Sequence, residues 1–114
     1  MKAKFTLTLT VAAVSLLTVL AGTARAADGA ELFSAKHCIS CHGKDGQGNT
    51  KAGQKAGVKD FTDAKFQASF SDDQAFKAIK EGIKDGDKLK MKAAEGVTDE
   101  EIKQLVAFVR GFKK

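Results

Sequence analysis

The clearest hydrophobic period in the chain lies in its last 17 residues, where apolar positions recur every three or four residues. Thr98 and Glu101 form the two ends of a capping box, which is typical of a helix N-terminus. One face of the helix that follows carries the apolar side chains Ile102, Leu105, Val106 and Val109. Because this spacing matches the period of an α-helix, we predict a helix from 98 to about 112, with terminal lysines that suit the helix dipole.

A second capping box, between Ser71 and Gln74, opens another predicted helix. The apolar residues behind it, Phe76, Ile79 and Ile83, recur at helical spacing. Glycines and an aspartate interrupt the pattern between Gly82 and Gly86, so we predict that the helix ends there.

Two shorter helices are predicted closer to the N-terminus. The first begins at Asp28 as N-cap, with Glu31 three residues later, and runs to about His37 with Phe33 as its main apolar anchor. The second covers 62–69, after a capping pair at Thr62 and Asp63. Three phenylalanines accompany it: Phe61, Phe66 and Phe70.

Two stretches carry no apolar period and are predicted to be loops. Residues 43–60 contain five glycines and several lysines, and residues 84–93 are mostly charged. No stretch predicts a β-strand, and there is no internal repeat. The predicted fold class is therefore all-α.

The first 26 residues have the composition of an export signal. A basic start is followed by an uncharged apolar stretch over 5–22, and Ala24-Arg25-Ala26 supplies the small residues of a cleavage site. The alternative is an uncleaved membrane anchor, which the threonines in the apolar stretch disfavour. We predict a signal peptide over 1–26 cleaved near Ala26, a periplasmic location and one domain over 27–114.

The net charge changes the picture once the signal is removed. The whole chain has 19 basic and 14 acidic residues, a net charge of +5, but three of the basic residues and none of the acidic ones lie in 1–26. The remainder has 16 basic and 14 acidic residues, a net charge of +2, which removes the main support for nucleic-acid binding. A domain of 88 residues has a thin core and gains from a bound cofactor.

The candidate chemistry lies in Cys38-Ile39-Ser40-Cys41-His42. A Cys-x-x-Cys-His run is typical of c-type haem attachment, in which Cys38 and Cys41 form thioethers and His42 becomes a ligand of the iron. A zinc site would need a second ligand pair, and the chain has no further cysteine. A disulfide between the two cysteines is sterically allowed but leaves His42 unexplained. The motif and the export signal together favour haem c, one per chain.

With these features the chain resembles a class I c-type cytochrome of the small bacterial kind. The resemblance depends on Gly29 and Phe33, the 38–43 segment, Met91 in a late loop, and Leu105 with Phe108 in the last helix. It implies first and last helices that cross and grip one haem, with Phe33 meeting Leu105 and Phe108. It also implies that His42 and Met91 are the two axial ligands.

Met91 is also favoured by its own surroundings. It is the only methionine after the signal, and a thioether is a known second ligand of haem iron. The alternative role, filling a gap in the core, is poorly supported because Lys90 and Lys92 flank it. Small cytochromes often use a loop proline carbonyl to accept a hydrogen bond from the histidine Nδ1, and this chain has no proline. A carbonyl in residues 44–57 must therefore take that role, or the bond is weaker.

These features predict a soluble periplasmic one-electron carrier rather than an enzyme. Two alternatives stay open: a haem subunit held in an enzyme complex, and a peroxidase or gas-binding protein with a displaceable Met91. Lys88, Lys90 and Lys92 flank the predicted ligand and form a candidate docking patch for an acidic region of a redox partner. No nucleic-acid partner and no stable membrane insertion after cleavage are expected.

Overall fold

The first and last helices of the described chain pack against each other and define the core. The structure is a computed structural model that describes residues 26–114. Within this range it contains six helices: α1 (Ala26–Ala35), α2 (Ile39–His42), α3 (Lys51–Ala56), α4 (Ala64–Ala68), α5 (Asp72–Glu81) and α6 (Asp99–Arg110). Two short antiparallel strands complete it: β1 (Ile83–Asp85) and β2 (Lys88–Met91).

The contact between α1 and α6 is close at both backbone and side-chain level. A Cβ atom added at Gly29 would lie 2.8 Å from the Gln104 carbonyl oxygen, so only glycine allows this approach of the two helices. Phe33 is 3% exposed and lies in one cluster with Leu105 and Val109. The ring centroids of Phe33 and Phe108 are 5.1 Å apart. The predicted meeting of the first and last helices is therefore confirmed.

The two helices predicted from capping boxes are confirmed. α6 has Thr98 as N-cap, with both hydrogen bonds of the box to Glu101, and its four predicted apolar residues are buried. α5 has the same box between Ser71 and Gln74, and Gly82 is its C-cap. Ile83, predicted to continue its apolar face, instead lies in β1 and is exposed. The short helix α4 begins after Asp63, whose side chain accepts a hydrogen bond from the Lys65 amide.

The predicted start of the first helix is wrong. α1 already includes Ala26, so Asp28 lies inside the helix and is not its N-cap. The helix also ends at Ala35, two residues earlier than predicted, and His37 has φ 63°. A left-handed residue of this kind ends a helix by turning the chain, here directly into the 38–42 segment.

The prediction of an unbroken loop over 43–60 is also wrong, because α3 lies within it. Thr50 caps this helix through a hydrogen bond from the Gly53 amide, and Gly57 ends it with left-handed φ 71°. The helix has only six residues, of which Gly53 alone is buried. It needs no apolar face, so the hydrophobic pattern carries no sign of it.

Residues 84–93 were expected to be irregular, and the structure instead places a β-hairpin there. Register pairs join Ile83 with Met91, Lys84 with Leu89 and Asp85 with Lys88, with an irregularity between Ile83 and Lys84. Because the strands have three and four residues and are largely exposed, no buried face imposes a period of two. The fold is thus mostly helical with one small hairpin.

The predicted signal peptide and its cleavage site lie almost wholly outside the described residues, of which Ala26 is the first. Over residues 26–114, every helix is too short or too polar to cross a membrane.

Candidate functional site

Cys38, Cys41 and His42 lie together on one tight turn. Cys38 is the N-cap of α2, and its carbonyl oxygen accepts hydrogen bonds from the amides of Cys41 (3.3 Å) and His42 (2.9 Å). The predicted attachment residues are therefore brought together by backbone hydrogen bonds within five residues. This arrangement presents two thiols and an imidazole in the order that the sequence motif requires.

Both thiols are free and half-buried. Burial raises the pKa of the Cys38 thiol above its ordinary value, which keeps it protonated at neutral pH. No disulfide joins the pair, so that alternative is not realised. Within residues 26–114 no group of three or more histidine, cysteine or acidic side chains is arranged to hold a metal ion.

His42 is held among aromatic rings. Its imidazole stacks on Phe61 at 4.6 Å between ring centroids and 19° between planes, and Phe33 lies 6.2 Å away. Burial lowers the pKa of His42, which favours the neutral imidazole that binds metals. Its Nδ1 atom is buried and has no hydrogen-bond partner in the described part of the chain. No carbonyl of residues 44–57 takes the role expected of it.

The loop after the motif stabilises this turn through hydrogen bonds to its carbonyl groups. The Thr50 hydroxyl donates a hydrogen bond to the Cys41 carbonyl oxygen at 3.0 Å, and the Gly48 amide donates to the His42 carbonyl oxygen at 2.9 Å. Gly53 lies so close to the Cys41 carbonyl that any side chain there would collide with it. These contacts satisfy carbonyls that the four-residue helix α2 leaves open.

Phe61 is itself held by a buried polar residue, Gln67, that the hydrophobic pattern of the sequence does not indicate. Gln67 is 4% exposed, and its amide nitrogen donates to the carbonyl oxygens of Phe61 (2.7 Å) and Val109 (2.9 Å). Arg110 donates to the Gln67 side-chain oxygen at 2.9 Å and to the Phe70 carbonyl oxygen at 2.7 Å. This Gln67–Arg110 network fastens the 61–70 segment to the end of α6.

A sequence signal for this network did exist. Arg110 is the only arginine after residue 26, and a long cation on an otherwise apolar helix face needs partners when it is half-buried. Nothing in the local pattern indicates which partners those are, because Gln67 is 43 residues away.

Met91 lies in a different region from the 38–42 turn. It is the last residue of β2, half-buried, and faces Ile83 across the hairpin. Among the described residues it is not part of the set packed on the Phe33, Leu105 and Val109 cluster. The structure thus brings Cys38, Cys41 and His42 together on one turn, whereas Met91, the fourth predicted site residue, lies on a separate element.

The residues present fit a haem c. Two unbridged thiols and a neutral imidazole follow one another on one turn. The imidazole ring packs on Phe61, and its buried Nδ1 atom has no hydrogen-bond partner among the described residues. A thiol pair and a histidine in this order are the donors that covalent haem attachment uses.

The comparisons with known proteins agree with this site. The family model described as cytochrome c matches residues 26–113, so the chain belongs to the cytochrome c family. A haem c is accordingly bound covalently, and the protein is an electron-transfer protein rather than an enzyme.

Two solved structures are similar over nearly their whole length. One, described as the KustC0563 c-type cytochrome, is 41% identical with a TM-score of 0.66, covering 76% of this chain and 99% of that chain. A mutant of Kustc0563 is 42% identical with a TM-score of 0.63, covering 75% and 99%. A search of the curated proteins found no match.

Proposed function

We propose that the chain is an exported, periplasmic one-electron carrier whose haem is attached through Cys38 and Cys41 and ligated by His42 and Met91. The observation that carries this proposal is the single turn that presents two free thiols directly before a half-buried imidazole whose Nδ1 atom is buried. When bound, the haem iron supplies the one-electron couple, and a methionine ligand raises its potential.

The residues around His42 hold the ligand and limit the access of water. Phe61 and Phe33 flank the imidazole, and the Gln67–Arg110 network keeps Phe61 in place. A histidine held in this way has little freedom to turn, so its orientation changes little when an electron arrives or leaves. The unpaired Nδ1 atom also lacks the acceptor that would raise the basicity of the ligand.

Attachment is tested by replacing both cysteines with alanine. The exported wild type should keep its haem through acid–organic extraction, and Cys38→Ala with Cys41→Ala should lose all covalent haem. Ser40→Ala, an exposed position within the same turn, is the matched control and should keep it. A colourless, correctly exported wild type with two free thiols would refute the proposal.

Export is tested by the N-terminus of the purified protein. We propose that residues 1–26 are removed and that the cytochrome domain covers 27–114. Mass spectrometry of the periplasmic fraction should then give a chain that begins at Ala27. A haem-containing chain that still carries Met1 or Lys2 would contradict cleavage near Ala26.

The proposed docking patch consists of Lys88, Lys90 and Lys92. Side chains alternate along β2, so Lys88 and Lys90 lie on the opposite strand face from Leu89 and Met91. Asp85 is the backbone register partner of Lys88 on the neighbouring strand. We propose that these lysines steer the protein onto an acidic region of its redox partner. Steering acts mainly on the association rate and is screened over a Debye length of about 8 Å at physiological salt.

Replacing the three lysines of the patch with glutamate should slow bimolecular electron transfer at low salt about ten-fold or more and flatten its salt dependence. The midpoint potential should change little. A matched control changes the same charge elsewhere, at the exposed residues Lys51, Lys55 and Lys59. Equal slowing by both triple variants would place the docking face elsewhere.

A further inference from the structure

Gly82 connects α5 to β1 in a conformation that only glycine readily adopts. Its φ is 79° and its ψ is −178°, a region that side chains with a Cβ atom avoid. A Cβ atom added there would lie 2.5 Å from the Met91 carbonyl oxygen and 2.8 Å from the Ala93 amide nitrogen. The backbone of 91–93 therefore rests directly on the backbone at Gly82, with no room for a methyl group.

The same segment is tied to α5 and β1 by two further backbone contacts. The Ala94 amide donates a hydrogen bond to the Ile79 carbonyl oxygen at 2.8 Å, just beyond Met91. Ile83 pairs with Met91 across the hairpin, and the strand register shifts directly after this pair, between Ile83 and Lys84. The position of Met91 is thus defined by backbone contacts over 79–83.

We propose that Gly82 is a positioning residue for Met91: the absence of a side chain at 82 lets the 91–93 backbone lie where Met91 reaches the haem iron. The inference rests on the proposed ligation by Met91. A methyl group at 82 has to push the Met91 carbonyl away, and the displaced backbone carries the thioether with it. Ligation should then weaken although Met91 itself is unchanged.

The hairpin contains a matched control. Gly86, in the turn between the strands, has φ 60°, and an added Cβ atom there would meet nothing within 4 Å. Gly86→Ala therefore introduces the strain of a left-handed alanine in the same hairpin without the collision. A difference between the two alanine variants reports what is particular to position 82, namely the contact with 91–93 and the extended backbone with positive φ that this contact requires, and not a general effect of an alanine in this hairpin.

The test measures how readily exogenous imidazole displaces the sixth ligand of the ferric holoprotein. The apparent affinity of a competing ligand rises with the fraction of molecules in which Met91 is detached. Gly82→Ala should bind imidazole about ten-fold or more tightly than the wild type, and Gly86→Ala within about two-fold of it. Met91→Ala, which has no thioether to displace, should give the highest affinity for imidazole.

The imidazole affinities distinguish failure of the Gly82 role from failure of ligation by Met91. If Met91→Ala binds imidazole tightly while Gly82→Ala behaves like Gly86→Ala, Met91 is the ligand and Gly82 does not position it. If Met91→Ala binds imidazole no better than the wild type, the proposed ligation is refuted, and a role for Gly82 in it is refuted as well.

A measurement on the wild type covers the case in which Gly82→Ala fails to fold. Hydrogen exchange at the Ala94 amide should accelerate about ten-fold or more in the imidazole complex, because the 91–94 backbone leaves α5 together with Met91. Exchange in α6 should be unchanged. Undiminished protection of Ala94 would mean that Met91 leaves by side-chain rotation alone, which overturns the inference.

Discussion

The two proposed iron ligands lie in regions with opposite kinds of support. His42 lies on a turn against the α1–α6 contact, where Phe33 and Leu105 are 3% and 1% exposed. Met91 lies on a hairpin whose apolar neighbours Ile83 and Leu89 are 44% and 49% exposed. The first region is held by side chains from distant parts of the chain, and the second by backbone contacts between neighbouring segments.

This difference predicts unequal local stability. Regions with few buried apolar contacts open at a lower free energy than the core, and a two-stranded hairpin alone is at best marginally stable. The His42 side should therefore open only with global unfolding, while the Met91 side can open by itself. Ligand exchange in this protein is expected at the methionine.

The sharpest test of the contrast removes each ligand in turn. Met91→Ala should leave a folded holoprotein whose ferrous haem binds CO readily, since the thioethers and His42 are retained. His42→Ala should largely abolish folded holoprotein, because it removes a ligand and leaves a gap between Phe33 and Phe61. Haem yield, far-UV circular dichroism and CO difference spectra measure both effects. A Met91→Ala protein that stays inert to CO would show that another group is the ligand.

A pair of core and hairpin truncations comes next in size. Phe33→Ala should lower the free energy of unfolding by about 3–5 kcal/mol, the usual cost of emptying an aromatic core position. Leu89→Ala should cost less than about 1 kcal/mol, because the side chain is half exposed. Denaturant unfolding followed by circular dichroism gives both values. Similar costs for the two variants would remove the distinction between the regions.

The Gln67–Arg110 network should contribute an intermediate amount to the His42 side. Gln67→Leu removes the side-chain donor to the part-buried Phe61 carbonyl and one donor to the Val109 carbonyl, which still accepts from the Phe112 amide at 3.2 Å. It also removes the Gln67 oxygen that accepts from Arg110, and we expect a loss of about 1–3 kcal/mol in the free energy of unfolding. Arg110→Lys should cost a similar amount because a lysine cannot make the same set of bonds. Since the residues share one network, a double-mutant cycle should give less than additive losses. Lys103→Ala, which breaks an exposed ion pair, is the control.

The smallest expected effect is on how the free energy of unfolding depends on acidic pH, through the two capping boxes. The hydrogen bond from the Thr98 amide lowers the pKa of Glu101 below its ordinary value of 4.5. A lowered folded-state pKa contributes stability above the unfolded-state value, and this contribution is lost as the pH falls through the folded-state value. The box of α5 uses Gln74, which does not titrate.

Glu101→Gln should therefore flatten the decline of the unfolding free energy below about pH 4.5, while Gln74→Glu should steepen it. Denaturant titrations at a series of pH values measure the slopes. An unchanged slope in Glu101→Gln would show that this cap does not contribute to acid sensitivity.

Long amphipathic segments made much of the fold predictable. α5 and α6 each combine a capping box with an apolar face, and both signals are local. The attachment turn was equally predictable because its five residues are consecutive. The family match confirms a covalent haem c, while the assignment of Met91 as a ligand stays a prediction.

The parts that escaped prediction are those with no buried face or with distant partners. α3 and the hairpin are short and exposed, so hydrophobic periodicity does not reveal them. The bond from Gln67 to the Val109 carbonyl spans 42 residues, and the contact of Gly82 with the 91–93 backbone involves no side chain at all. Such contacts depend on the completed topology and leave no pattern in the local sequence.

The packing of Phe33 on α6 has a consequence for the order of assembly. Leu105 and Phe108 follow Cys38 by about 70 residues, so the apolar cluster against which Cys38 packs forms only after nearly the whole chain is available. Until α6 is in place, Cys38 lacks these neighbours and is more accessible than in the folded chain. Haem attachment is therefore expected to be easiest before α6 packs, and the packed helix then restricts access to Cys38. Alkylation of Cys38 in the haem-free chain should accordingly be faster in Leu105→Ala than in the wild type.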